Sequence, residues 1–97
     1  MVNTAREKLE AGTYVRAKEQ VWSQLVEEIV ILNLTNSSYY GLNPPGAYLW
    51  KILEQPQTFS ALEQKILEEY DVAPAIARDD LANLLQQMIA AKLIEFC

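Results

Sequence analysis

The chain contains no histidine and a single cysteine, Cys97. Histidine is the commonest general base and the commonest metal ligand, so its absence removes the usual route to both kinds of site. One cysteine can form neither an intrachain disulfide nor a cysteine metal site, and such sparing use is typical of a reducing compartment. We therefore expect no catalytic residues, no cofactor, no metal and a cytoplasmic location.

Basic residues and long apolar runs are also scarce. Acidic residues outnumber basic ones by 13 to 8, which gives a net charge of −5. This balance opposes phosphate binding, so nucleic acid is not an expected partner. No run is long and apolar enough to span a bilayer, and the N-terminus lacks the apolar segment of an export signal, so a membrane is not an expected partner either.

What the sequence does contain is enough apolar residues for one small domain. It has 97 residues, of which 51% are hydrophobic. A chain of this length buries only about 60–65% of its unfolded surface, which allows one modest core and argues against a deep substrate cavity. We predict a partly flexible N-terminal arm over residues 1–19, with Arg6 and Arg16 among its solvated charges. The folded domain is predicted over residues 20–97.

The first half of this domain has the pattern of three short strands. Residues 20–25, 28–34 and 38–42 are rich in β-branched and aromatic side chains. The polar cluster Thr35-Asn36-Ser37 predicts a turn between the second and third strands, whereas Val26-Glu27 is a poor turn between the first two. Consecutive strands with short connections favour an antiparallel meander.

The second half has the pattern of three helices. The first is predicted to begin near Pro45, because proline fits the first helical turn. The second is predicted to begin near Thr58 to Ser60. Ser60 has the spacing of a capping box with Glu63, and Thr58 is the alternative cap. The third begins at Pro74, and a short apolar tail over residues 93–96 could form a further strand. The order predicts an α+β, winged-helix-like domain: a three-stranded antiparallel sheet followed by three helices.

Three segments together resemble a known family. YYGLNPPGAYLW, residues 39–50, resembles the YxLNxxGxxIW signature of PqqD-like proteins. LEEYDV, ending at Val72, resembles the end of the family's second helix. Asp80-Leu81, Leu84-Leu85 and the ending KLIEF together resemble its third-helix pattern. The resemblance covers residues 21–96. It implies a non-catalytic protein that captures the leader segment of a ribosomally made precursor peptide and presents it to a maturation enzyme, such as the leader peptidase of lasso-peptide biosynthesis. The alternative is a peptide chaperone of pyrroloquinoline quinone synthesis or of a peptide-modifying radical enzyme.

The resemblance also implies where a leader would bind. In the family the leader becomes an extra strand beside the third strand and packs against the third helix. Transferred to this chain, the predicted peptide-binding residues are Ser38, Tyr39, Tyr40, Gly41, Leu42, Ile76, Asp80, Leu84, Gln87 and Met88. Alternation along the strand places Tyr40 with Leu42 on one face, and Tyr39 with Gly41 on the other.

Several of these assignments have a structural alternative. Gly41 either lets a second backbone approach or merely relieves crowding before the turn. Leu84 and Met88 belong either to the groove or to the core, whereas we expect Leu81 and Leu85 to be core.

Two residues depart from the family pattern near the third helix. Ala73 stands where many members have Asp or Asn, which weakens the helix N-cap by about 1 kcal/mol. Lys92 replaces the usual glycine before the final Leu-Ile pair.

Three other functions are alternatives to peptide binding. A DNA-binding winged helix predicts a basic recognition helix, but here Arg78 and Lys92 are set against Asp79 and Asp80. An enzyme requires a nucleophile beside a base, and no motif provides that pair. A homodimer through the same strand edge remains an alternative to peptide binding.

Overall fold

The structure, a computed structural model, describes residues 4–18, 20–26, 28–34 and 37–97. Parts of two predicted connections, Glu27 and Thr35-Asn36, lie outside these residues. The described elements are α1 (Thr4–Glu10), β1 (Thr13–Arg16), β2 (Gln20–Leu25), β3 (Glu28–Asn33), β4 (Ser38–Leu42), α2 (Pro44–Ile52), β5 (Gln57–Thr58), α3 (Phe59–Glu69), α4 (Pro74–Ala90) and β6 (Ile94–Phe96).

The described strands form two small sheets. β2, β3 and β4 make an antiparallel meander in that order, in which Trp22 pairs with Ile31 and Ile31 with Tyr40. The predicted three-stranded sheet and the helices that follow it are therefore confirmed. The second sheet, in the order β5-β1-β6, was not predicted. It joins the N-terminal strand to the apolar tail, which is a strand as the sequence suggested.

Residues 4–16 pack onto the domain, which corrects the expectation of a solvated arm. Leu9 of α1 and Tyr14 of β1 are both buried in the core. The Tyr14 hydroxyl donates a hydrogen bond to the Leu9 carbonyl, and burial raises the pKa of Tyr14 to about 12. Burial of the Leu9 and Tyr14 side chains explains why this segment packs onto the domain. The domain boundary itself stays a prediction.

Arg16 is a structural residue rather than a solvated charge. Its Nε donates to the Trp50 carbonyl at 2.6 Å. Its guanidinium carbon lies 5.0 Å from the centroid of Trp22 and 4.8 Å from that of Trp50, within cation–π range of both rings. Arg6 is likewise engaged, with Glu10 at 2.6 Å and Asp79 at 2.8 Å. Both arginines therefore hold the N-terminal segment against the helices.

The N-caps of α2 and α3 are side-chain oxygens. Asn43 accepts from the backbone N–H of Gly46 at 3.3 Å. Thr58 accepts from that of Ala61 at 3.1 Å, so Thr58 is the cap of α3 and the predicted capping box of Ser60 and Glu63 is wrong.

Glu63 has a different partner on the neighbouring helix. It receives two hydrogen bonds from Arg78 of α4, at 2.7 and 3.1 Å. This fork geometry favours the ionised carboxylate and lowers the pKa of Glu63. The contact ties α4 to α3.

The longest described helix, α4, begins without a side-chain cap at Ala73, as predicted. Leu81 and Leu85 are buried in the core, also as predicted. No described helix is long and apolar enough to cross a membrane. Just beyond the C-terminal end of α4, Lys92 has a φ of 61°, in the left-handed region where glycine carries no Cβ penalty.

The backbone at Lys92 gives a stability prediction. Lys92→Gly should raise the free energy of unfolding by about 0.5–1 kcal/mol, because it removes the Cβ strain of a left-handed residue. Ala91→Gly is the matched control: Ala91 has a φ of −81°, so glycine there should lower stability. Urea unfolding of both variants measures the difference, and a loss of stability in Lys92→Gly would contradict this account.

Candidate functional site

The β4 strand lies at the edge of its sheet. It pairs with β3 on one side, and no described strand pairs with it on the other. The C-terminal strand β6 does not cover this edge, because it pairs with β1 in the second sheet. An unpaired edge presents a row of backbone N–H and C=O groups to whatever approaches it.

The register of β4 on β3 fixes which side chains face the core. Tyr40 pairs with Ile31 and Leu42 with Ile29, and both isoleucines are fully buried. Tyr40 is half-buried against this core and Leu42 is buried, so the two residues share the inward face, as strand alternation predicted. Tyr39 and Gly41 point to the opposite face of the sheet.

A groove of about 240 Å³ runs between β4 and the C-terminal half of α4. We call it the front groove. No charged residue lines it, and six of the ten predicted peptide-binding residues do. Its lining residues are Tyr40, Gly41, Leu42, Asn43, Leu84, Gln87, Met88, Ala91 and Leu93.

The two α4 residues whose role was open contribute in different ways. Leu84 is half-buried and packs against the core while its remaining surface lines the groove. Met88 is only 2% exposed, so it is a core residue that also reaches the floor of the groove. Replacing Met88 would therefore disturb the core, whereas Leu84 can be changed with less cost to folding.

A second, smaller cavity continues from the front groove at Leu84. This apolar pocket has a volume of about 150 Å³ and lies where α2, α3 and α4 meet. Asp80, which is exposed at its rim, is the one charged residue in its lining. The lining residues are Pro45, Leu49, Ile66, Tyr70, Val72, Ala77, Asp80, Leu81 and Leu84.

Three predicted residues line neither cavity. Ser38 is half-buried at the start of β4, Tyr39 is 73% exposed on the far face of the sheet, and Ile76 is exposed near the start of α4. Conversely, the sequence reasoning missed Asn43, Ala91 and Leu93 in the groove. Ala91 follows Leu84 by seven residues, so helical spacing alone could have found it.

The face of the β2–β4 sheet that points away from the core is largely apolar. One row across it joins Val21, Leu32 and Tyr39, in register. Val21 is 56% exposed, and Leu25 on the same face is exposed to a similar degree. We call this surface the outer face. Contiguous exposed apolar surface on a small domain commonly marks an interaction site.

Gly41 has no structural reason to be a glycine. A Cβ built at this position meets no other atom within 4 Å, and its φ is not positive. Within the described residues, nothing crowds this position. The alternative, that a glycine on an open edge leaves room for a second chain, stays a prediction.

The lining of the front groove indicates which kind of ligand it suits. Within the described ranges, no three Cys, Asp or Glu residues cluster as metal ligands. The front groove offers backbone hydrogen-bonding groups on one wall and uncharged side chains on the other. Such a combination suits an extended peptide, which would pair with the strand while its side chains contact the helix.

Comparisons with known proteins agree with this geometry. A family model described as Coenzyme PQQ synthesis protein D (PqqD) matches residues 28–94. A solved structure titled "TbiB1 in Complex with the TbiA(beta) Leader Peptide" is similar to this chain, with a TM-score of 0.77 and 26% sequence identity over 84% of this chain and 94% of that one. The search of curated proteins returned no significant match.

The environment of Gly41 yields a prediction about stability. Gly41→Val should raise the free energy of unfolding by about 0.5–1 kcal/mol, because the new side chain fits open space and restricts the unfolded strand. Gly12→Val is the control, since a Cβ there would lie 2.7 Å from the Tyr14 hydroxyl and should destabilise the fold. Thermal and urea unfolding compare the two, and a destabilised Gly41→Val would contradict the open-space interpretation.

Proposed function

The chain belongs to the PqqD family, and we propose that it binds the leader segment of a ribosomally made precursor peptide in the front groove and presents it to a maturation enzyme. The observation that carries the proposal is the unpaired edge of β4 facing the uncharged wall of α4. The family match and the similarity to a structure titled as a leader-peptide complex support it. In this role the chain performs no catalysis itself.

Backbone pairing aligns the leader but is too weak to hold it alone. About four new hydrogen bonds at roughly 0.5–1.5 kcal/mol each give a few kcal/mol. Ordering a flexible segment opposes binding by about 2–5 kcal/mol. Micromolar affinity needs about −8 kcal/mol, so apolar leader side chains must supply the remainder.

The two cavities can take such side chains. Burying one large apolar side chain contributes about 1.5–3 kcal/mol. The front groove accepts side chains from the inward face of the leader strand, against Leu84 and Met88. The apolar pocket, whose volume is about 150 Å³, matches a cavity size that holds a benzene-sized group. Asp80 at its rim would favour a basic or hydrogen-bond-donating leader residue beside that anchor.

The outer face provides a surface for the maturation enzyme. A leader strand added to β4 would extend the sheet to four strands, and its alternate side chains would join Tyr39 and Val21 on the outer face. An enzyme that docks there would contact both proteins and would bind the loaded domain better than the empty one. We assign the exposed apolar character of this face to that contact.

The biosynthetic pathway is defined by the precursor peptide and not by the residues of this chain. Lasso-peptide biosynthesis, with a leader peptidase as the partner enzyme, is the function we favour, because the similar solved structure is named for TbiB1 with a leader peptide. A peptide chaperone of pyrroloquinoline quinone synthesis or of radical-enzyme modification uses the same groove. The neighbouring genes distinguish these cases.

The competing functions have less support. Arg78, the cation that a DNA-binding α4 would need, is bound by Glu63 and by Glu10 at 3.4 Å. A homodimer would use the same edge of β4, so a leader peptide would dissociate it. Sizing the protein with and without leader separates pairing with a peptide from pairing with a second copy.

Leu84 tests the site because it lines both cavities. Leu84→Gln should weaken leader binding at least about tenfold, since it replaces roughly 1.5 kcal/mol of apolar contact with a polar group. Fluorescence anisotropy measures this with two labelled peptides: the TbiA(beta) leader and the leader of the precursor encoded beside this chain.

Leu67→Gln is the matched control, because Leu67 is a half-buried leucine packed on the core from α3 and lines neither cavity. It should reduce stability comparably and leave leader affinity intact. Equal loss of affinity in both variants, or none in Leu84→Gln, would contradict binding in the front groove.

Val21 tests the outer face. Val21→Glu should leave leader affinity unchanged, because β2 lies two strands away from the open edge. It should slow removal of the leader by the partner peptidase by about tenfold or more, since a charge would be buried in an apolar contact. The rate of leader cleavage by the peptidase is measured with and without a saturating concentration of this protein. A normal rate would show that the enzyme docks elsewhere.

A further inference from the structure

A second groove lies on the opposite side of α4 from the front groove. Helical geometry places Gln86, Ile89 and Ala90 about half a turn away from the residues that line the front groove. Two adjoining cavities there, of about 440 and 320 Å³, share Ile89 and Phe96. We call them together the reverse groove, and nothing in the leader-binding role uses it.

The reverse groove also has an open strand edge. β6 pairs with β1 on one side, and no other described strand pairs with it. The Ala17 N–H donates to the Leu93 carbonyl at 2.9 Å, and the Cys97 N–H donates to the Thr13 carbonyl at 3.0 Å. The backbone groups of Leu93 and Cys97 that make these bonds therefore point toward the N-terminal segment. Because alternate residues of an antiparallel strand point opposite ways, Ile94 and Phe96 direct their N–H and C=O groups outward.

The net charge of the residues that line this groove is opposite in sign to the net charge of the chain. Lys8, Lys18 and Lys92 line it, against the single carboxylate of Glu95. Three positive charges and one negative give a local charge of +2 on a chain whose net charge is −5. The ion pairs found in the described residues all use Arg6 or Arg78, so none of these lysines is ion-paired within that part of the chain.

Apolar surface lies between the lysines. Phe96 is 54% exposed although its ring packs against Tyr14, with centroids 5.0 Å apart. Ile89 is half-buried beside it. An apolar side chain from a bound segment would therefore find a hydrophobic contact flanked by cations.

We propose that the reverse groove binds an acidic, extended segment of a partner protein, which adds as a strand to β6 and places an apolar side chain against Phe96 and Ile89. Backbone pairing fixes its direction, and the lysines select acidic residues. The front groove, which has no charged lining, would not compete for such a segment. The inference does not depend on leader binding.

A titration with a defined peptide tests this inference. The probe is a synthetic peptide, blocked at both ends, in which Glu alternates with Val or Leu. The control peptide has Lys in place of every Glu. Added to ¹⁵N-labelled full-length protein at low salt, the acidic peptide should shift the amides of Ile94 and Phe96 but not those of Tyr40 and Gly41. A dissociation constant of about 0.1–1 mM is expected for so short a segment.

Charge reversal identifies the role of the lysines. Lys18→Glu should weaken binding about three- to tenfold, and Lys92→Glu should do the same. Lys51→Glu, which makes the same charge change on an exposed position of α2, should change affinity by less than about twofold. Dispersed amide spectra of each variant establish that it is folded.

Four outcomes would overturn the inference: no shift at Ile94 and Phe96, equal binding of the lysine peptide, shifts at Tyr40 and Gly41 instead, or stronger binding of duplex DNA at the same amides. Leader binding is read from Tyr40 and Gly41 in the same spectra. The reverse groove and the leader site can therefore fail separately.

Discussion

The pairing of β6 with β1 is the constraint on which the rest of the structure depends. If the C-terminal strand had turned the other way and paired with β4, it would have closed the edge that faces α4. The N-terminal segment would therefore have an indirect role in the proposed binding: Thr13–Arg16 pairs with the tail, and β4 keeps one neighbour among the described strands. Leu9 and Tyr14 keep that segment in place by packing into the core.

The position of α4 sets the width of the front groove, and several contacts fix it. Leu81 and Leu85 bury one side of the helix in the core. Arg78 joins it to Glu63 on α3, and Arg6 reaches Asp79 from α1. These ion pairs are exposed or half-exposed and contribute little stability individually, so their main effect is on orientation. With the helix in this position, Leu84 lines both the front groove and the apolar pocket.

The elements with strong local patterns could be predicted from the sequence. The β2–β4 meander followed from runs of β-branched and aromatic residues, and the three later helices followed from cap residues and proline positions. The second sheet could not be predicted in the same way, because β5 has only two residues and its partners are distant in sequence. In the site, the family resemblance led to Tyr40 and Gln87, which line the front groove and whose contact with a leader stays a prediction. It missed Leu93, whose contribution to the groove depends on how the chain leaves α4, and it included Ile76, which the helix turns toward solvent.

Amide hydrogen exchange along β4 tests the central claim most directly. In the unliganded protein, the N–H groups of residues 39–42 that point away from β3 should exchange rapidly, since no described strand covers them. With saturating leader peptide, alternate residues of β4 should become protected while the β6 amides keep their rates. Protection confined to α4, or unchanged exchange throughout β4 in a fully bound complex, would show that the leader does not add to this edge.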